Sequence, residues 1–247
     1  MEPAEYRRMD AAEDRMWWYR TLHANLLAAL QRRPGPAGSV LLDAGCGTGG
    51  LLRRMSESGP DRLRLGIDVE AAAAQMARAK AGVPIAVASI DALPFTDASL
   101  GVIVSADVLY HRRVDPAAAL GEARRCLMPG GVLVVNVPAY HWLTSFHDRQ
   151  VHGGRRFTRS GLRRLLTEAG FVSVDATYWN TLLFPVMVLH RKLASSPRRE
   201  SSDVGEFPSL LQSMFMAVMA VERGAMRLGV RYPFGGSILA TAIKSAA

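Results

Sequence analysis

The sequence predicts an α/β fold, a doubly wound sheet of mostly parallel strands with helices on both faces. Three observations predict it. Short runs rich in Val, Ile and Leu recur at 40–44, 63–68, 85–89, 102–105 and 132–137. They are apolar on successive residues, as strands buried on both faces are. Helical stretches at 48–57, 70–81 and 115–128 fill the gaps, and strand–helix–strand alternation builds a parallel sheet covered on both sides. A glycine-rich turn, Asp43-Ala44-Gly45-Cys46-Gly47-Thr48-Gly49-Gly50, joins the first run to the first of these helices.

Taken in order, the first 33 residues read as helix, with Trp17, Trp18, Leu22, Leu26, Leu27 and Leu30 at helical spacing. Pro34-Gly35-Pro36-Ala37-Gly38 stops it. Asp115-Pro116 starts the helix before the fifth strand, Asp as cap and Pro in the first turn, and Pro129-Gly130-Gly131 ends it. A polar, aromatic loop covers 138–157, a helix 158–169, and a strand 171–178. The last strand is 237–244. The roughly sixty residues between those two strands exceed what a hairpin needs. They hold two apolar segments, 182–193 and 210–221, joined by polar 195–202, and read as a helical lid.

The bulk properties bound the function. The chain has 247 residues, 49% of them hydrophobic, enough to bury the core of one large domain. No run reaches the roughly 18 apolar residues of a membrane span, and the polar start lacks a signal-peptide core, so a cytoplasmic protein is expected. Cys46 and Cys126 are the only cysteines and suggest no disulfide framework. The net charge is +8, nearly all of the basic excess arginine, since Lys80, Lys192 and Lys244 are the only lysines. The arginines fall in scattered pairs, which reads as solvated helix faces rather than a nucleic-acid groove.

A strand, a glycine-rich turn and a helix together seat an anionic or polar cofactor end on free backbone N–H groups. About 25 residues after Asp43, Asp68 ends the second strand in Gly66-Ile67-Asp68, close to the spacing of a ribose-binding acid. After the third strand comes Ser89-Ile90-Asp91-Ala92-Leu93-Pro94-Phe95. With Asp97-Ala98-Ser99-Leu100 and Val108-Leu109-Tyr110-His111, these segments resemble, in order over roughly 38–178, a class I S-adenosylmethionine-dependent methyltransferase of the small-molecule, type 11-like branch.

That resemblance implies a Rossmann-like seven-stranded sheet with the last strand antiparallel. It divides a single domain into an N-terminal helical cap (1–36), a cofactor-binding core (37–178), the lid (179–236) and the last strand (237–247). It implies S-adenosylmethionine as cofactor, with Asp43, Gly45, Cys46, Gly47 and Gly49 under the methionine part. Asp68 and Val69 would serve the ribose, Ile90, Asp91 and Ala92 the adenine, and Ser105 with Ala106 the floor beside the sulfonium. From the N-terminal helix, Tyr19 and Arg20 would close on the cofactor, Arg20 pairing with its carboxylate. Tyr110 stands where the family often has Glu.

Methyl transfer from a sulfonium mainly needs alignment, and a base only where the acceptor must lose a proton. The loop after the fifth strand is the richest place for such groups. It resembles an H-D-x-x-x-H-x-x-R-R-[YF]-[ST] signature of some of these enzymes, here from His147 to Thr158. His152 is the expected base or acceptor orienter, Asp148 its partner and His111 a third catalytic candidate. Trp18, Tyr110, Tyr140, His147, Arg155 and Arg156 are the expected acceptor-binding residues, the arginines for an anionic group. The alternative reading makes Asp148, His152 and Arg156 a network that pins the loop. No metal site is expected. The Met-rich, apolar lid suggests a lipophilic acceptor such as an isoprenoid or polyketide, methylated on O or C rather than N. A dimer interface or a membrane-surface contact competes for that surface, and a monomer or homodimer is expected. Two other functions compete. A nucleic-acid methyltransferase is disfavoured because Ser105-Ala106-Asp107-Val108 lacks the Asn/Asp-Pro-Pro-aromatic motif. An NAD(P)-dependent oxidoreductase rests on Gly45, Gly47 and Gly50 alone, a weak motif.

Overall fold

In the computed structural model, which describes residues 3–57, 62–143, 154–193 and 208–246, seven strands form one sheet. They are β1 (Leu41–Ala44), β2 (Arg64–Asp68), β3 (Ile85–Val87), β4 (Leu100–Ala106), β5 (Leu127–Pro138), β6 (Phe171–Trp179) and β7 (Ser237–Lys244). Their order is β3-β2-β1-β4-β5-β7-β6. Strand β7 runs antiparallel to both neighbours, with Val134 opposite Thr241 and Ala176 opposite Ala240. The doubly wound, seven-stranded sheet with an antiparallel last strand is therefore present as the sequence predicts. The direction of winding reverses between β1 and β4, and at such a switch point ligands bind beyond the carboxyl ends of the strands.

Helices α1 (Pro3–Ala12), α2 (Trp17–Arg32), α3 (Gly50–Glu57) and α4 (Ala71–Ala81) precede β3. After it come α5 (Pro116–Cys126), α6 (Arg159–Glu168), α7 (Phe184–Leu193) and α8 (Ser209–Arg227). One face of the sheet packs Leu22, Leu26 and Ala29 of α2, Leu51, Leu52 and Met55 of α3, and Ala74 and Ala77 of α4. The other packs Leu120 and Ala123 of α5 with Leu162 and Leu166 of α6. Asp115 caps α5 by accepting from the Ala117 N–H at 2.9 Å, with Pro116 in the first turn.

The structure corrects three boundaries. Residues 3–32 form two helices rather than one, because Met16 is extended (φ −69°, ψ 129°) and Glu13 turns inward. Strand β5 starts at Leu127, five residues early, since Leu127 pairs with Leu100 before a bulge restores register at Val132. The second apolar segment of the insert runs to Arg227, because Glu222 and Met226 are buried on its inner face. No helix among the described residues is long and apolar enough to cross a membrane.

Candidate cofactor and acceptor site

The tip of β1 carries the glycine turn, and its backbone explains the residue type. Gly45, Gly47 and Gly49 have φ of +87°, +54° and +89°, the left-handed region that side chains resist. A Cβ on Gly49 would lie 2.8 Å from the Ala77 Cα, so this glycine also lets α3 close on α4. A Cβ on Gly45 would overlap the Val108 side chain, which places the loop after β4 directly against the turn.

Three carboxylates surround the turn. Asp43 is 1% exposed and its Oδ1 is buried without a hydrogen-bond partner. Burial first, then Asp68 and Glu13, push its carboxyl up to about 7. Asp68 accepts from the Gly47 N–H and the Glu70 N–H, both at 3.0 Å, and from the Tyr6 hydroxyl at 3.4 Å. Burial raises its carboxyl too. Glu13, also buried and raised by that burial, accepts from the Thr48 hydroxyl at 2.7 Å and pairs with Lys80. Burial likewise pushes the Cys46 thiol up, so it is a neutral filler of the turn. Beyond β3, Asp91 keeps one buried oxygen without a partner, and the other accepts from the Asp115 N–H at 3.2 Å. Ile90 is buried behind it, whereas Val69 and Ala92 are exposed. At the end of β4, Ser105 is 1% exposed with an unpartnered hydroxyl.

This arrangement fits a nucleoside cofactor with an amino-acid end. Its glycines open the backbone, an acid at the β2 tip is hydrogen-bonded and charge-poised, and orphaned oxygens at Asp43 and Asp91 await donors. The N-terminal helices contribute differently from expectation. The residues that reach the turn are Tyr6 and Met9 of α1 and Glu13 just after it, with the Met9 methyl 2.6 Å from where a Gly47 Cβ would stand. Arg20 is exposed on α2, and Tyr19 packs edge-on against Trp18. A close-set cluster of acids in a polar segment looks solvated in the sequence, so only the fold reveals Glu13.

On the acceptor side an aromatic wall rises at the carboxyl ends of β5 and β6. Tyr140 stacks on Tyr178 at 5.3 Å and on Trp142 at 5.8 Å. Phe184 stands edge-on to Tyr140 and Trp142, and Phe234 continues the series at 5.6 Å. Trp142 is 60% exposed, so the wall keeps an open aromatic face. Trp18 lies 6.1 Å from the buried Trp179. Tyr110 is buried with its ring 4.3 Å from that of His111. The sequence reading named Tyr140 as acceptor-binding and Phe184 as part of the apolar lid, but assigned no role to Trp142 or Phe234; the four meet only through the chain's return after β6.

Arg155 donates through Nη1 to the carbonyls of His111 (2.9 Å) and Val114 (2.7 Å), and Arg156, buried, to that of Ala139 (3.0 Å). Arg155 thus ties the described end of this loop to the segment after β4, and Arg156 ties it to the end of β5. His147, Asp148 and His152 lie outside the described residues. Among the described residues no group of three or more His, Cys, Asp or Glu is placed to hold a metal ion.

Fold and turn together define a class I nucleoside-cofactor methyltransferase architecture. Residues 42–135 match the family described as "Methyltransferase domain", and this match together with the fold supports a class I S-adenosylmethionine-dependent methyltransferase with S-adenosylmethionine as its cofactor. It is 34% identical over 169 residues to an uncharacterised 37.1 kDa protein in transposon TN4556 of Streptomyces fradiae, covering 62% of this chain and 48% of that one. It is 32% identical to a malonyl-[acyl-carrier protein] O-methyltransferase of Dechloromonas aromatica, covering 60% of this chain and 61% of that one. The chain thus spans about half to three fifths of the length of these curated relatives. A SAM-dependent methyltransferase from Thermotoga maritima shares the fold with a TM-score of 0.60 at 19% identity, over 98% of this chain and 95% of that one.

Proposed function

We propose that the protein transfers the methyl group of S-adenosylmethionine to a small lipophilic acceptor, on oxygen or carbon. The observation that carries the acceptor class is the aromatic wall of Tyr140, Trp142, Phe184 and Phe234 at the carboxyl ends of β5 and β6, with Trp142 and Phe234 exposed. Aromatic rings give a large apolar contact area with little entropy to lose. The exposed apolar residues of α7 and α8, among them Val186, Leu189, Leu210 and Met214, extend this character over the insert. The relative that acts on a malonyl-[acyl-carrier protein] supports an oxygen acceptor.

Within this reading Asp68 holds the ribose hydroxyls, Asp91 the adenine amino group and Ile90 its ring. The glycines of the turn pass under the amino-acid end. The cofactor supplies an activated methyl group, and the chain's own task is to bind, orient and exclude water. His111, on the loop pinned by Arg155, is the candidate proton acceptor among the described residues. The test is mass spectrometry of purified protein with S-adenosylmethionine and two acceptor panels, long-chain or polycyclic apolar compounds and small polar ones. Gain of one CH2 on members of the apolar panel is expected. Turnover of the polar panel alone refutes the acceptor class.

A further inference from the structure

The carboxyl ends of β4, β5 and β6 share a buried polar chain that no role above uses. The Trp179 indole Nε1 donates to Asn136 Oδ1 at 2.8 Å, and Asn136 Nδ2 donates to Asp107 Oδ1 at 3.0 Å. Asn136 and Trp179 are both fully buried. An indole N–H can only donate, so it fixes which end of the amide is oxygen. The amide N–H must then face Asp107, whose Oδ1 is held as an acceptor. The Asp107 backbone N–H also donates to the Asn136 carbonyl at 2.9 Å. Asp107 adopts φ +53°, an uncommon conformation for a side-chain-bearing residue, and it is half-buried rather than sealed in. It is the first residue past β4, the strand that neighbours β1 at the switch point. Its neighbour Val108 packs against Gly45 of the turn. Three elements therefore hold one acceptor-only carboxylate, in an unfavourable backbone conformation, beside the glycine cradle.

We propose that Asp107 is the charge-selecting residue of the site, the anion that makes it prefer a cationic cofactor to the neutral product left after methyl transfer. Asn136 and Trp179 are positioning residues that act through it. The inference rests on the cofactor reading above. A negative charge beside the reacting centre stabilises a sulfonium and has no such hold on a thioether, so it favours charging the site with donor and releasing product.

Two neutral-versus-cationic probes test this without turnover. S-adenosylhomocysteine has a neutral thioether at the reacting position, and sinefungin carries an ammonium there. Calorimetry on the full chain should show sinefungin bound about tenfold more tightly, the size of one partly screened charge pair. Asp107→Asn keeps shape and can still present an oxygen to Asn136. It should bring the two affinities within about twofold while leaving that for S-adenosylhomocysteine unchanged. Trp179→Phe, which frees the amide to turn, should give an intermediate preference with a cooperative thermal transition. A purely structural role would weaken both ligands alike. An unchanged preference in Asp107→Asn overturns this inference alone. Failure of both ligands to bind the unaltered chain overturns the cofactor reading and this inference with it.

Discussion

Removing the charge at Asp43 should change how the ligand-free protein responds to pH. Its carboxyl is 1% exposed, and burial with Asp68 and Glu13 nearby pushes it up to about 7. In the unfolded chain it titrates near 3.9. Between about pH 4 and 7 the native state therefore binds more protons than the unfolded one, and stability falls as pH rises. From pH 5 to pH 7 the loss is about 2 kcal/mol for this group alone, at 1.36 kcal/mol per unit of pKa difference. Asp68 and Glu13, also raised by burial, act in the same direction. Asp43→Asn deletes the titration and keeps the side-chain shape. Urea unfolding of ligand-free protein at pH 5, 6 and 7 should give a downward slope that is flatter by about 2 kcal/mol in the variant. Equal slopes, or a parent protein that gains stability toward pH 7, would refute the claim that the turn stores an uncompensated carboxyl.

Other outcomes follow from the same packing. Gly49→Ala combines a positive φ with overlap on the Ala77 backbone and should cost about 2 kcal/mol or more in urea unfolding. Glu222, 1% exposed on α8, accepts from the Thr181 and Leu182 N–H groups at 2.8 and 3.0 Å. Glu222→Ala strands both donors and should cost about 2–5 kcal/mol, seen as a drop in Tm and early proteolysis of the insert. Trp142→Ala removes an exposed ring, so stability should hold within about 0.5 kcal/mol. Affinity for an apolar acceptor should fall severalfold, and an unchanged KM would remove Trp142 from the acceptor wall.

The sheet was legible because each buried strand is a local apolar run, and the turn because Gly45, Gly47 and Gly49 carry their backbone requirement in their identity. The place of Asp68 at the tip of β2, beside the turn, was legible through its spacing. What escaped depends on long-range encounters. Glu13 finds Thr48 35 residues away and Lys80 67 residues away, which breaks the N-terminal helix where periodicity alone would continue it. Asn136 finds Asp107 and Trp179 at separations of 29 and 43 residues, and no local pattern marks such a chain. Arg155 and Arg156 look like free cations in sequence, but their Nη1 groups donate to backbone carbonyls.

We propose that the turn at the β1 tip, with Asp68 beside it, holds S-adenosylmethionine. Isothermal calorimetry of S-adenosylmethionine against the parent chain and Asp68→Ala checks this. Saturable one-to-one binding, weakened at least tenfold by the substitution as charge-assisted bonds of about 1.5–3 kcal/mol each are lost, is the expected result. A parent chain that takes up a nicotinamide dinucleotide and ignores S-adenosylmethionine, or a variant that binds as tightly as the parent, would contradict it.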